Sequence, residues 1–156
     1  MWTSLRREIE KVRIESGLAE KFYPVGLTEW PDIEDRVYET FCTIKTHRSR
    51  PVWIWEALRV KSAGIHLEEN PNQILSKLIG SDGTVFLLLS ETVRETTKFW
   101  IYESTVGPIQ MILEESAGID EVIIVDKKYN WIICINHHDT IIVGGDKMVE
   151  RLAQLV

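Results

Sequence analysis

Residues 121–145, with the sequence EVIIVDKKYNWIICINHHDTIIVGG, decide the fold. Three runs in this stretch are rich in β-branched and apolar residues, a composition that favours strands. The connections 127–130 and 136–139 are four residues long, a length that suits β-hairpins. The stretch therefore predicts an antiparallel meander of three strands. The predicted strands are 121–125, 131–135 and 140–143.

Two further strands and two helices are predicted around this meander. Residues 84–90 would carry apolar side chains on both faces of a strand, which is typical of a central strand. Residues 98–104 are aromatic and rich in β-formers, and Gly107-Pro108 then opens a helix. After the meander, Gly144-Gly145 leads into a last helix, which we expect Asp146 to cap.

The first 80 residues predict helices instead of strands. Apolar residues at helical spacing indicate a helix that ends at Gly17, and Asp32 is the expected N-cap of a second helix over 32–46. A third helix is expected to begin at Asn70 and end at Gly80. Residues 51–60 fit either a strand or a short helix, and Pro51 favours the helix.

These patterns predict a single α+β domain over residues 1–156. We expect one mostly antiparallel sheet of about five strands, in the order β-β-α-β-β-β, with the N-terminal helices and a C-terminal helix packed on it. Its most buried residues are expected to be Phe41, Val85, Leu87, Ile123, Val125 and Ile133.

The net charge of −6 is unevenly distributed along the chain. Residues 1–60 contain ten Lys/Arg and ten Asp/Glu, whereas residues 61–156 contain eight and fourteen. Phosphate backbones repel an acidic surface, so we expect no nucleic-acid partner. An acidic surface instead suits a basic protein partner, although it also simply keeps a domain soluble.

The sequence indicates a cytoplasmic protein. Its longest apolar run, Val85–Leu89, has five residues, whereas a membrane-spanning helix needs about 20, so no membrane association is expected. The N-terminus lacks the apolar stretch of a signal peptide. Cys42 and Cys134 both lie within apolar patterns, which predicts buried free thiols in a reducing compartment.

His137, His138 and Asp139 combine residue types that bind metals or transfer protons. Neighbouring residues of a strand point to opposite faces, however, and no HExxH motif completes a site. Asn136 and Asp139 also favour a hairpin turn because their side chains bond to nearby backbone. The turn is the favoured interpretation, ahead of contact with a partner or catalysis, and we expect no metal and no cofactor.

Trp53 and Trp55 are the strongest aromatic candidates for binding. Two tryptophans with one residue between them are not expected to point the same way. Core packing of both is the favoured interpretation. The alternative is that one is exposed and anchors a partner, as exposed tryptophans often do.

Acidic residues form two groups along the second half of the chain. Glu91, Glu95 and Glu103 surround the connection between the first two predicted strands. A second group follows near the next helix: Glu114, Glu115, Asp120 and Glu121. We expect that, if both groups share a face, they attract a basic partner.

About a third of the chain resembles a known type of protein in its sequence. The segments Phe99–Tyr102, Ile123–Val125, Tyr129–Ile133 and Asn136–Asp139 resemble small uncharacterised bacterial proteins of the immunity type, which are found beside polymorphic toxins. The resemblance carries no catalytic residues. It implies a binder that neutralises a toxin, or an uncharacterised relative of such proteins. The acidic groups add the expectation that this partner is a basic toxin domain.

Three functions therefore remain open. The first is a non-enzymatic protein-binding module, most plausibly an immunity-like inhibitor of a toxin. The second is a small metal-dependent or histidine-based hydrolase built around His137, His138 and Asp139. The third is a structural or oligomerisation domain. No sequence motif marks a catalytic residue, so we place the binding module first.

Overall fold

The computed structural model describes residues 2–44, 50–80, 83–91 and 98–156. Within these residues, five α-helices and seven strands are present, and all the strands belong to one sheet. The helices are α1 (Ser4–Glu15), α2 (Trp30–Phe41), α3 (Leu75–Ile79), α4 (Val106–Glu115) and α5 (Asp146–Leu155). The strands are β1 (Phe22–Pro24), β2 (Ser62–His66), β3 (Val85–Glu91), β4 (Trp100–Ser104), β5 (Ile119–Asp126), β6 (Ile132–Ile135) and β7 (Thr140–Gly144).

The sheet has the strand order β1-β4-β3-β5-β6-β7-β2, and every neighbouring pair is antiparallel. The predicted α+β class and the predicted meander of β5, β6 and β7 are confirmed. The prediction of about five strands is wrong, because β1 and β2 were not expected. These two strands form the two edges of the sheet and come from the part of the chain predicted to be helical.

Helices cover both faces of the sheet because its strands are apolar on both sides. On β5, Val122 and Ile124 belong to one buried cluster, together with side chains from α1, α3, α4 and α5. Ile123 and Val125 belong to the other cluster, together with side chains from α2. The six residues predicted to be most buried are each at most 3% exposed, so that prediction is confirmed.

Several helix boundaries differ from those predicted. The second helix begins at Trp30 with Glu29 at its N-cap, so Asp32 lies in the first turn instead of capping it. The last helix has Gly145 at its N-cap and Asp146 as its first residue. Within 51–60, a single 3₁₀ turn, Ile54–Glu56, replaces the predicted short helix. The N-cap at Asn70 is confirmed, because its side chain accepts from the N–H of Asn72 at 3.0 Å.

No helix among the described residues is long and apolar enough to cross a membrane.

Candidate functional site

The segment from Asn136 to Asp139 forms the turn between β6 and β7. The Asn136 side-chain oxygen accepts from the backbone N–H groups of His138 and Thr140, at 2.9 and 3.1 Å. Asp139 adopts a positive φ of 56°, a conformation that Asp tolerates better than most residues. The predicted hairpin turn is therefore confirmed, and it leaves the side chains of His137 and His138 exposed.

The turn places His137 against a carboxylate from the neighbouring strand. Glu121 lies on β5, and its Oε1 is 2.6 Å from Nδ1 of His137. The Glu121 side chain is only 7% exposed, and burial raises the pKa of its carboxyl group. The hydrogen bond to Glu121 is the main cause that raises the pKa of His137. With Glu121 ionised, Nδ1–H of His137 donates to the carboxylate and Nε2 is left for other contacts.

Trp53 and Trp55 lie beside this histidine. Their rings stack on each other with centroids 5.7 Å apart, and Trp53 lies 5.3 Å from the His137 ring. The His138 ring follows at 4.0 Å from that of His137. We call these four residues the Trp–His cluster.

The structure corrects the expectation that the two tryptophans diverge. The chain turns through the 3₁₀ segment between them instead of staying extended, so both rings reach the same side. Neither ring is fully buried, although Trp55 packs against the α2 side of the core. Its indole Nε1 is buried and has no hydrogen-bond partner among the described residues.

A cavity of about 380 Å³ opens next to the Trp–His cluster. It lies between the C-terminal end of α4, the start of β5, the β6–β7 turn and the segment around Asn70. Its polar lining includes Ser116, Asp120, His137 and Asp139, and its apolar lining includes Leu113 and Val122. The hydroxyl of Ser116 is buried without a partner among the described residues.

The two predicted groups of acidic residues do not form one acidic face. Glu91 is 5% exposed and accepts a hydrogen bond from the Trp100 indole, so it belongs to the interior. Glu103 pairs with Lys127, at the opposite end of the sheet from the β6–β7 turn. Glu95 lies outside the described residues. Glu114 and Glu115 are exposed at the C-terminal end of α4, next to the cavity.

The two thiols offer no reactive nucleophile to the site. Both Cys42 and Cys134 are free and buried, as predicted. Burial raises the pKa of the Cys42 thiol to about 11, and burial also raises that of Cys134 well above its ordinary value. A thiol of this kind is protonated at neutral pH and reacts slowly.

One arrangement at the site was missed by reasoning along the sequence. One carboxylate oxygen each from Asp120 and Glu121, and a ring nitrogen of His137, lie within 4.8 Å of one another. Asp120 and Glu121 lie on β5 just before Val122, and Val122 pairs with Ile135 at the end of β6. His137 follows Ile135 by two residues, so it comes close to both acids. The short predicted connection 127–130, together with antiparallel pairing of the two strands, is the sequence signal that could have predicted this proximity.

The model of a family of unknown function, DUF6756, matches residues 1–156, so the chain belongs to that family. Neither the curated proteins nor the solved structures contain a significant match to the chain.

Proposed function

We propose that this member of DUF6756 is a non-enzymatic protein-binding module, an immunity-type inhibitor that acts in the cytoplasm on a toxin domain with a basic surface. The observation that carries the proposal is the Trp–His cluster. The immunity role and the toxin rest on the resemblance of segments such as Tyr129–Ile133 and Asn136–Asp139 to proteins of that type.

The Trp–His cluster has the properties of a binding anchor. Trp53 and Trp55 are half-buried, so they present large apolar rings in a fixed position, and the exposed imidazoles of His137 and His138 extend the surface. Tryptophan is enriched among the residues that contribute most to protein–protein affinity. A pre-formed stack loses little conformational entropy on binding, which favours affinity.

The charge near the cluster suits a basic partner. Glu56 and Asp120 both favour the protonated form of His137, which places their carboxylates within electrostatic range of the cluster. The segments that surround the cavity also contain no Lys or Arg, namely residues 62–76, 99–126 and 129–146. Complementary charges of this kind speed association and select partners.

A neutralisation experiment tests this function. If a gene beside the one for this chain encodes a toxin, its C-terminal domain is expressed in bacteria alone and together with the chain. We expect the domain to stop growth and the wild-type chain to restore it. Trp53→Ala should restore growth less well, because it removes half of the stacked pair.

Trp2→Ala is the matched control for that experiment. Trp2 is 48% exposed and lies over the Arg6 guanidinium at 4.3 Å, away from the Trp–His cluster. Its truncation should leave growth restoration unchanged. A wild-type chain that fails to restore growth, and fails to bind the purified toxin domain, contradicts the proposal.

A histidine-based hydrolase is the second candidate, and one observation favours it. The Glu121 carboxylate orients Nδ1 of His137, as an orienting carboxylate does for the general base of many hydrolases. Hydrolysis of a nitrophenyl ester by the purified chain, abolished in His137→Gln but retained in His138→Gln, would place this function above binding.

A further inference from the structure

We propose that Asp120, Glu121 and His137 form a binding site for one divalent transition-metal ion of the Zn²⁺ class. The site shares His137 with the Trp–His cluster, but its other ligands lie on β5 and it needs no protein partner, so it can be tested separately from the proposed function.

The geometry needs only small side-chain movements to hold an ion. The three candidate ligand atoms lie within 4.8 Å of one another, and one pair, Glu121 Oε1 and His137 Nδ1, is 2.6 Å apart. Ligand atoms of a tetrahedral Zn²⁺ lie ~3.4 Å apart, given Zn–N and Zn–O distances of about 2.1 Å. The His137 side chain is 28% exposed, whereas that of Glu121 is 7% exposed, so we expect His137 to make most of this adjustment.

The donor set selects the class of ion. One imidazole nitrogen and two carboxylate oxygens suit Zn²⁺ and its neighbours in the transition series, whereas Mg²⁺ and Ca²⁺ favour sites made of oxygen alone. Two carboxylates also supply the negative charge that balances a divalent cation. Three protein ligands leave a fourth position for water, as in exchangeable zinc sites.

The cavity supplies a second, independent observation. Asp120 and His137 both line the cavity of about 380 Å³, which has room for an ion with bound water. An ion held by these side chains would therefore have its remaining coordination position open to water in the cavity.

Two potential ligands in the β6–β7 turn, His138 and Asp139, do not belong to the site. His138 and Asp139 follow His137 directly, but the group of ligand atoms within 4.8 Å contains neither. The partner of His137 comes from β5, sixteen residues earlier in the chain. A zinc ion held by exposed histidines alone would use His138, so this residue provides the matched control.

The experiment is isothermal titration of the full chain with ZnCl₂, after treatment with a chelator and its removal. We expect one ion per chain with a Kd in the micromolar range or below. Asp120→Asn and His137→Gln should each weaken binding at least tenfold, whereas His138→Gln should stay within twofold of the wild type. Co²⁺ should also quench tryptophan fluorescence in the wild type, since the Trp53 ring lies 5.3 Å from His137.

Three results would overturn the site. One is the absence of binding to the wild type at 1 mM Zn²⁺. Another is a loss in His138→Gln as large as that in His137→Gln, which would indicate adventitious binding by surface histidines. The third is unchanged affinity in Asp120→Asn. Thermal unfolding of each variant checks that it is folded, and none of the three substitutions is at a buried residue.

Discussion

At the scale of single residues, Gly145 fixes the point at which the sheet ends and α5 begins. Its φ is 105°, a conformation that residues with a side chain rarely adopt. A Cβ at this position would lie 2.7 Å from the carbonyl oxygen of Asn130. The β5–β6 turn therefore approaches the backbone here so closely that only glycine fits.

Replacing this glycine tests that interpretation. Gly145→Ala should lower the free energy of unfolding by about 1–3 kcal/mol, because it combines backbone strain with a clash. Gly107→Ala is the control, since Gly107 lies in the first turn of α4 and a Cβ there meets nothing within 4 Å. We expect it to be neutral or slightly stabilising. Equal stabilities of the two variants in urea denaturation would contradict the argument.

The residues of the candidate site show what local sequence determines. The turn at Asn136 and Asp139 was predictable, because its hydrogen bonds join residues at most four apart. The partner of His137 was not predicted, since Glu121 is brought close only by the register of β5 with β6. Stacking of Trp53 on Trp55 was also missed, because it depends on a 3₁₀ turn that the alternating sequence did not indicate.

At the scale of elements, predictability follows how much apolar surface each strand buries. The interior strands β3, β5 and β6 are buried over most of their length, and their apolar runs made them predictable. The edge strands β1 and β2 were not predicted, because they are short and bury little apolar surface. Strand β1 has three residues including Pro24, and β2 alternates between exposed and partly buried residues around Gly64. Short strands with Pro or Gly are typical of sheet edges.

Helix α2 provides the test of packing at this scale. Phe41 is 1% exposed and packs with Val37 of the same helix and Ile54 of the 3₁₀ turn against the sheet. Truncation to alanine should cost about 3–5 kcal/mol of unfolding free energy. Leu27→Ala, at a residue that is 83% exposed, should change stability by less than about 0.5 kcal/mol. A loss below about 1 kcal/mol for Phe41→Ala would contradict the packing described for α2.

At the scale of the whole molecule, the position of charge along the chain did not predict its position in space. The excess of acids in residues 61–156 follows from the sequence, yet Glu91 is buried and Glu103 is paired with Lys127. Glu114 and Glu115 instead remain exposed beside the cavity, at the end of the sheet where His137 also lies. The three-layer arrangement decides this, since it places the ends of α4, β5 and β6 together.

The most direct test of the proposed function is the affinity of the purified chain for the toxin domain that the proposal expects a neighbouring gene to encode. Biolayer interferometry would compare the wild type with Trp53→Ala and Trp2→Ala in the same buffer. We predict that Trp53→Ala raises the Kd at least tenfold, about 1.4 kcal/mol, and that Trp2→Ala stays within twofold of the wild type. A Trp53→Ala variant that is folded and binds the domain as tightly as the wild type would contradict the account.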